Sequence, residues 1–274
     1  MTTLVTGATG NVGRQVIAQL LDASDTAVRA VTRNPAAAGL PDGVVAVPAD
    51  LAEPESLDGC LRGVDAVFLM WPLHSGEALP AVLDVIKRHA HRVVFLGSGG
   101  VRDLTMDQQQ ELIAQSGLEW TAIRPSTFAV NALWWAEQIR AGDVVRGVYG
   151  ELGMAMLHEA DIAAVAVQAL TSQEHAGMAH HLTGPQVISQ AEQVRIIGEA
   201  IGRPLHWEEV SRPDARQQMI NDGFPLSFVD VLLDTYAMMM TWPRPEVTSA
   251  VEDVTGAPAR TFRQWAADHA AAFE

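Results

Sequence analysis

Three glycines fall within seven residues of the segment TLVTGATGNVGRQVIAQLL (3–21): Gly7, Gly10 and Gly13. Each gives up about 0.5–1 kcal/mol relative to Ala in a regular element, so their clustering calls for a reason to keep the backbone bare. An apolar run leads into Gly7, and an apolar-periodic segment begins at Asn11 or Val12, which places the glycines where a strand turns into a helix. In that context Gly7 permits the sharp turn, Gly10 lets a diphosphate approach the backbone, and Gly13 lets the helix lie close to the strand. Thr9, Gly10, Asn11 and Val12 then present the phosphate-facing backbone at the positive end of a helix. An ordinary tight turn with incidental glycines is the alternative, and the position of the segment at the head of six strand-then-helix repeats favours dinucleotide binding.

Which dinucleotide is read at the end of the second strand, where an Asp or Glu would hold the ribose 2′-hydroxyl of NAD. This chain has Thr32, Arg33 and Asn34 there. A guanidinium at Arg33 suits a 2′-phosphate. Arginine is also a common solvated loop residue, but the missing carboxylate favours NADP(H) over NAD(H). After the third strand, Asp50 and Leu51 are placed to meet the adenine. After the fourth, Met70, Trp71 and Pro72 would flank the cofactor, because ligands bind outside the carboxyl ends of parallel strands. Trp71 suits core packing equally well.

The elements that must carry these residues alternate. TLVTG (3–7), AVRAVTR (27–33), VVAVPAD (44–50), AVFLMW (66–71), RVVFLGS (92–98) and EWTAIRP (119–125) read as strands, with helical patterns between them. The pattern predicts an α/β, doubly wound parallel sheet of the Rossmann type. Beyond Pro125 the rhythm changes. STFAVNALWWAEQIRAG (126–142) reads as one amphipathic helix, GDVVRGVYGELGMAM as short strands or loop, EADIAAVAVQAL as a helix, and AHHLTGP as a strand able to return to the sheet. The expected organisation is a dinucleotide-binding domain over 1–127, completed by 157–185, with a smaller, mostly helical substrate lobe from 128–156 and 186–274.

Composition excludes several classes. The 274 residues carry a formal charge of −15 and no basic run, which opposes nucleic-acid binding. No apolar stretch approaches the ~20 residues of a membrane span. No leader pattern precedes the first strand, and the single cysteine, Cys60, forms no internal disulfide, so the cytoplasm is expected. Lys87 is the only lysine against seventeen arginines, so any lysine-dependent scheme must use it.

The chain resembles the NmrA-like group of atypical short-chain dehydrogenase/reductases, with its NAD(P)H-dependent quinone oxidoreductase-type members. The resemblance rests on TGATGNVG (6–13), VTRNP (31–35), SGLEWTAIRPSTFAVN (116–131), HEADIAAVA (158–166) and LTGP (182–185), and it covers essentially the whole chain. It implies that the nicotinamide end is bounded by Gly97 and Ser98 after the fifth strand and by Pro125, Ser126 and Phe128 after the sixth. It also exposes a departure from many short-chain dehydrogenases, whose YxxxK pair moves a proton at the substrate oxygen. The two tyrosines here, Tyr149 and Tyr236, are not followed by lysine, so Tyr–Lys catalysis is excluded.

Other candidate chemistry is thinner. His74 follows the fourth strand on the ligand-binding side and is the better proton donor, while His158 suits capping and packing at a helix start. Adjacent pairs such as His180–His181 lack metal-ligand spacing, and no metal is expected. Phe128, Ala132, Trp135 and Ile139 recur at helical spacing and read chiefly as packing, although Phe128, a tryptophan and the methionines of YAMMMTW (236–242) could line an apolar pocket for a flat, conjugated substrate. The resemblance implies an NADPH-dependent oxidoreductase acting on a quinone, enone or related carbonyl compound, with Ser98 and Ser126 donating near the developing oxyanion. A non-catalytic NADP(H)-sensing regulator is the alternative, and a nucleotide-sugar epimerase is more distant for want of the Tyr–Lys pair.

Overall fold

The short apolar runs of the first half become strands of a sheet, in a computed structural model that describes residues 1–23, 26–97, 99 and 101–274. In chain order they are β1 (Thr2–Val5), α1 (Asn11–Asp22), β2 (Ala27–Thr32), β3 (Val44–Pro48), α2 (Asp58–Leu61), β4 (Ala66–Met70), α3 (Leu79–Lys87), β5 (Arg92–Leu96), α4 (Met106–Gln115) and β6 (Glu119–Pro125). There follow β7 (Thr127–Phe128), α5 (Ala136–Ala141), β8 (Val144–Gly147), β9 (Gly153–Met154), β10 (Met156–Leu157), α6 (Glu159–Thr171) and β11 (Met178–Leu182). The chain ends with β12 (Ile188–Ser189), α7 (Gln190–Ala200), β13 (His206–Glu209), α8 (Arg212–Asn221), α9 (Leu226–Met239), α10 (Ala250–Thr255) and α11 (Phe262–Asp268).

Two compact units divide this chain: residues 1–125, 159–182 and 250–257 form the first, and residues 126–158, 183–249 and 258–274 the second. The first is a seven-stranded, all-parallel sheet in the order β11-β6-β5-β4-β1-β2-β3. Its strand order reverses beside β1, the switch point at which open α/β sheets bind ligands. Both faces must be covered, which is why β4, and β5 after Arg92, are continuously apolar, with Val67, Phe68, Leu69, Val93 and Val94 fully buried. The amphipathic face of α1 buries Val12, Val16, Ile17 and Leu20, and beside it α6 receives a hydrogen bond from Gln19 Nε2 to the Ala160 carbonyl at 3.0 Å. A capping box between Thr105 and Gln108 starts α4, an arrangement worth ~1 kcal/mol.

One expected boundary is corrected. The segment containing α10 was assigned with the rest of 186–274 to the smaller lobe, yet α10 packs against α6 and β11 and belongs to the first unit. Its Val251 is 2% exposed, so burial of an apolar residue draws the helix there.

In the second unit three short strand pairs, β7–β10, β9–β12 and β8–β13, brace the helices. Its core gathers Ile139, Val145, Val194 and Ile197 with Phe262, Trp265 and Phe273, each 1% exposed or less. The expected single helix over 126–142 is also corrected. Thr127 and Phe128 pair in parallel with Met156 and Leu157, residues 129–135 form a 3-10 segment, and only Ala136–Ala141 is α-helical. Backbone pairing to a strand 29 residues away overrides the local period there. Among the described residues no helix is long and apolar enough to cross a membrane.

Candidate functional site

The glycine turn is built from the carboxyl ends of β1 and β4. Thr6, 1% exposed, locks them together: its hydroxyl accepts the Met70 N–H at 2.8 Å and donates to the Met70 carbonyl at 3.0 Å, while its own N–H reaches the Phe68 carbonyl at 3.0 Å. That lock presses the Met70 thioether under the turn. A Cβ on Gly7 would lie 2.2 Å from Met70 Cε, and Gly7 has φ +62°, a left-handed conformation that glycine takes without strain. A Cβ on Gly13 would lie 2.1 Å from the Gly7 carbonyl oxygen, so the helix axis can pass this close to the turn only over a glycine.

Gly10 caps α1 with no side-chain hydrogen bond, and no acidic side chain occupies the first turn. The opening N–H groups of α1 are therefore left for an anion, and the helix dipole adds to their pull. Thr9 and Asn11 are exposed beside them, and Val12 is buried beneath. A diphosphate fits this cradle in charge and in the bareness of its backbone.

Arg33 is exposed at the tip of β2, with no ion pair among the described residues, and Asn34 is anchored by its N–H to Thr32 Oγ1 at 3.3 Å. A second cation, not expected from the sequence, stands close by. Arg14, in the first turns of α1, donates from Nε to the Thr9 carbonyl at 3.1 Å, from Nη1 to the Gly39 carbonyl at 2.8 Å and from Nη2 to the Ala38 carbonyl at 3.0 Å. It ties the glycine turn to the loop that follows Arg33, and it has no carboxylate partner among the described residues. Most arginines of this acidic chain are paired with carboxylates, as Arg88, Arg92, Arg203 and Arg216 are. Arg14 and Arg33, each without a carboxylate partner among the described residues, are exceptions that suit a phosphate.

At the third strand, Asp50 Oδ1 accepts the Ala52 N–H at 2.9 Å, which fixes the carboxylate and leaves Oδ2 open, whereas the Leu51 side chain is 5% exposed in the core. At the fourth, Pro72 is exposed, and Trp71 is turned inward, 2% exposed, with its indole N–H on the Ser75 carbonyl at 3.0 Å. Of the two readings of Trp71 the side chain takes the core one, so only its backbone faces the sheet's carboxyl edge. His74 is exposed; its carbonyl accepts the Arg102 N–H at 2.8 Å. Asp103 accepts the Gly76 N–H at 2.8 Å and the Ser75 hydroxyl at 2.9 Å, and these donors, the Gly76 N–H foremost, hold its carboxyl below the usual value.

Gly97, buried after β5, donates its N–H to the Ile123 carbonyl at 2.9 Å. Ser98 lies outside the described residues. Pro125 is half-buried at the end of β6. Ser126 donates its hydroxyl proton to the Ala155 carbonyl at 3.0 Å, so in this geometry that proton is not offered to an oxyanion. Phe128 pairs through its backbone with Leu157.

Within the second unit a cavity of about 220 Å³ opens among aromatic and sulfur side chains: Trp134, Trp135, Trp207, Phe224, Tyr236 and Met239. Of the expected lining (Phe128, a tryptophan and the methionines of YAMMMTW), Trp134, Trp135 and Met239 are present, whereas Phe128, Met238 and Met240 are not among the lining residues and are corrected, the two methionines being exposed. The walls are rigid. Trp135 meets Trp207 edge to face at 5.8 Å and 77°, and Trp134 meets Phe228 at 5.4 Å and 84°. Two charged side chains reach the lining, and both are engaged: Arg146 Nε with Glu208 at 3.0 Å, and Asp222 Oδ1 with Gln218 at 2.9 Å. Burial pushes the Tyr236 phenol up to about 12, so it stays a neutral O–H donor at ordinary pH. Among the described residues no three His, Cys, Asp or Glu side chains cluster as a metal site would need.

Comparison with known proteins agrees with this geometry. A family model described as NAD(P)H-binding matches residues 7–173, the stretch that runs from the first glycine past α6. A Streptomyces griseus protein named (4-alkanoyl-5-oxo-2,5-dihydrofuran-3-yl)methyl phosphate reductase is 36% identical, and an NAD(P)H azoreductase of Xenophilus azovorans is 35% identical, each over 98% of both chains. The NADPH-dependent quinone oxidoreductase structure from Escherichia coli shares the fold at a TM-score of 0.80, with 22% identity over 97% of this chain and 98% of that one. The stretch matched by the family model and the two relatives spanning the full chain lead to one assignment: the chain belongs to the NAD(P)H-binding family.

Proposed function

We propose that this NAD(P)H-dependent oxidoreductase uses NADPH and delivers hydride to an uncharged quinone, enone or related carbonyl compound without a Tyr–Lys pair. The observation that carries the reading is the start of α1, where uncapped N–H groups lie over Gly7, Gly10 and Gly13 with Arg14 and Arg33 unneutralised beside them. The relatives named as reductases support the reaction class.

When bound, the reduced nicotinamide supplies the hydride. The chain's contribution is placement. The glycine turn and the first N–H groups of α1 hold the diphosphate, Arg33 takes the 2′-phosphate, and Asp50 Oδ2 receives the adenine amino group. Met70, Pro72, Gly97 and Pro125 line the carboxyl edge of the sheet along which the coenzyme extends. The aromatic cavity of the second unit is the acceptor site of this reading. A quinone needs little acid catalysis, because hydride addition yields a delocalised phenolate that water protonates, and His74 is the side chain we assign as donor for less activated acceptors. The Streptomyces relative is named for a phosphate ester of an unsaturated lactone. The pairing of Arg146 with Glu208 leaves this cavity without a free cation, which supports a neutral acceptor.

The test is NADPH oxidation, followed by absorbance, against a panel of quinones, enones and aldehydes, together with calorimetry of both coenzymes. Turnover of at least one neutral acceptor is expected. Arg33→Asp should weaken NADPH far more than NADH, and equal losses would defeat the coenzyme assignment.

A further inference from the structure

Gln193 is the polar side chain that burial strands at the cavity wall. It is 1% exposed, its Nε2 has no hydrogen-bond partner, and it belongs to the lining. A buried amide donor left unpaired costs about 1–3 kcal/mol. Its neighbour in sequence shows the contrast: Gln190, one turn earlier on α7 and also in the lining, spends both amide protons on the Val148 and Tyr149 carbonyls at 2.9 Å each. Tyr236, on α9, supplies a second donor: it is half-buried, lines the same cavity, and its hydroxyl has no hydrogen bond among the described residues. Gln193 and Tyr236 therefore offer donors from an apolar, aromatic wall in which Arg146 is paired with Glu208 and the Asp222 carboxylate is held by the neutral Gln218 amide.

We infer that this cavity is a binding site for a flat, uncharged molecule of one or two fused rings whose carbonyl oxygens accept hydrogen bonds from Gln193 and Tyr236. The size follows from about 220 Å³, below the ~300–1,000 Å³ of pockets that take drug-sized ligands. Flatness follows from the edge-to-face aromatic walls, which are held by their own neighbours and do not yield to a bulky scaffold. An anion is disfavoured because Arg146 is already paired with Glu208, no other Lys or Arg is among the described lining residues and the Asp222 carboxylate would repel it; the hydrogen-bond donors Gln193 and Tyr236 call for carbonyl oxygens rather than a cation. Gln193 and Tyr236 are specificity-determining residues in this account. It rests on the reductase reading only in taking the bound molecule to be the hydride acceptor; the ligand chemistry stands on the cavity itself.

The experiment titrates the full chain, without coenzyme, with a naphthoquinone, with naphthalene, and with a naphthoquinone sulfonate, reading the fluorescence of the cavity tryptophans. The naphthoquinone should quench saturably and bind more tightly than naphthalene, and the sulfonate should bind at least about tenfold more weakly than its neutral parent. Gln193→Met and Tyr236→Phe, which keep volume, should each weaken the naphthoquinone about three- to tenfold and leave naphthalene unchanged. Gln193→Met should also melt at or above the parent temperature, an effect that a structural role for the amide would reverse. Losses that are equal for naphthoquinone and naphthalene, or absent in both variants, overturn the anchoring, and no saturable quenching overturns the site. NADPH calorimetry on the same samples separates the two readings. Normal NADPH binding without naphthoquinone binding sinks this inference alone, whereas naphthoquinone binding without NADPH binding sinks the coenzyme reading and leaves the site standing.

Discussion

Trp207 donates its indole N–H to the carboxylate of Glu209 at 2.8 Å, from two residues earlier on the same strand. Alternate residues of a strand share a face, and Glu209 uses that proximity to hold more than the indole. Its two oxygens also take the N–H groups of Tyr149, at 2.6 Å, and Gly150, at 2.9 Å. Tyr149 has φ 60°, a conformation that a residue with a side chain holds only when its surroundings insist. Trp207 in turn lies flat on bare backbone, because a Cβ on Gly147 or Gly150 would come within 2.3 or 2.4 Å of its ring.

Burial alone would raise the Glu209 carboxyl, but the indole and the two backbone N–H donors outweigh it and hold the group below its ordinary 4.5. A carboxyl depressed in the folded state lends stability that is full above its unfolded value and fades as pH falls through the folded one. Glu209→Ala should lower stability by about 1 kcal/mol at neutral pH, or ~2–4 °C in Tm, the modest size reflecting water that can replace an exposed acceptor. Melting curves should show the gap between parent and variant closing as pH drops below about 4.5. A gap unchanged with pH would remove the carboxylate from this role.

Gly10 and Gly13 should separate binding from folding. On Gly10 a Cβ would meet the Gly7 carbonyl oxygen at 3.3 Å, a tight but tolerable contact, whereas on Gly13 it would be 2.1 Å from the same atom. Gly10→Ala is expected to fold with little change in Tm and to lose NADPH affinity at least about tenfold, since the methyl stands where the diphosphate approaches. Gly13→Ala should cost about 1–3 kcal/mol of stability as well. Calorimetry and thermal melts of the two variants decide it; a Gly10→Ala protein with parental affinity would move the diphosphate elsewhere.

Arg14 should act on coenzyme choice through position. Its three hydrogen bonds to the Thr9, Ala38 and Gly39 carbonyls hold the loop after Arg33 against the glycine turn. Arg14→Gln is expected to weaken NADPH about three- to tenfold and NADH less, since it removes one nearby positive charge and slackens the loop. Equal weakening of both coenzymes would reduce Arg14 to a fastener with no electrostatic part.

His74→Gln tests the proton donor. For a poorly activated enone the variant should lose kcat by about tenfold or more. For a quinone kcat should not change. Unchanged kcat for both acceptors would assign the proton to water throughout.

The parts of this molecule that are legible in the sequence are those set by local pattern. Six strands and the jobs of Gly7 and Gly13 follow from apolar runs and from the steric demands of one turn, both contained within a few residues. Thr6 and Arg14 escaped notice because their meaning lies in partners far along the chain, Met70 and Gly39, and nothing in TGATGNVGR advertises those distances. The segment 126–142 misled for a related reason: its apolar spacing suits a helix, and pairing of Thr127 and Phe128 with β10 takes its first residues away. Trp71 could be assigned only once its indole was seen to reach the Ser75 carbonyl. The cavity was half legible, since tryptophans and methionines at helical spacing announce an apolar surface without saying whether it closes on itself. Stranded amides such as that of Gln193 have no sequence signature, because a glutamine at a buried helix position looks the same whether or not it finds a partner.

The sheet of the first unit is completed late. Its edge beside β6 stays open until Met178–Leu182 has been made, and the helix that packs on α6 and β11 arrives only at Ala250–Thr255. A ribosome that has released the first 125 residues has thus released six strands with a row of unpaired peptide groups at one border, the kind of border that recruits other chains. Synthesis of this protein passes through that exposed stage for every molecule made, a stage at which association with other chains competes with completion of the sheet.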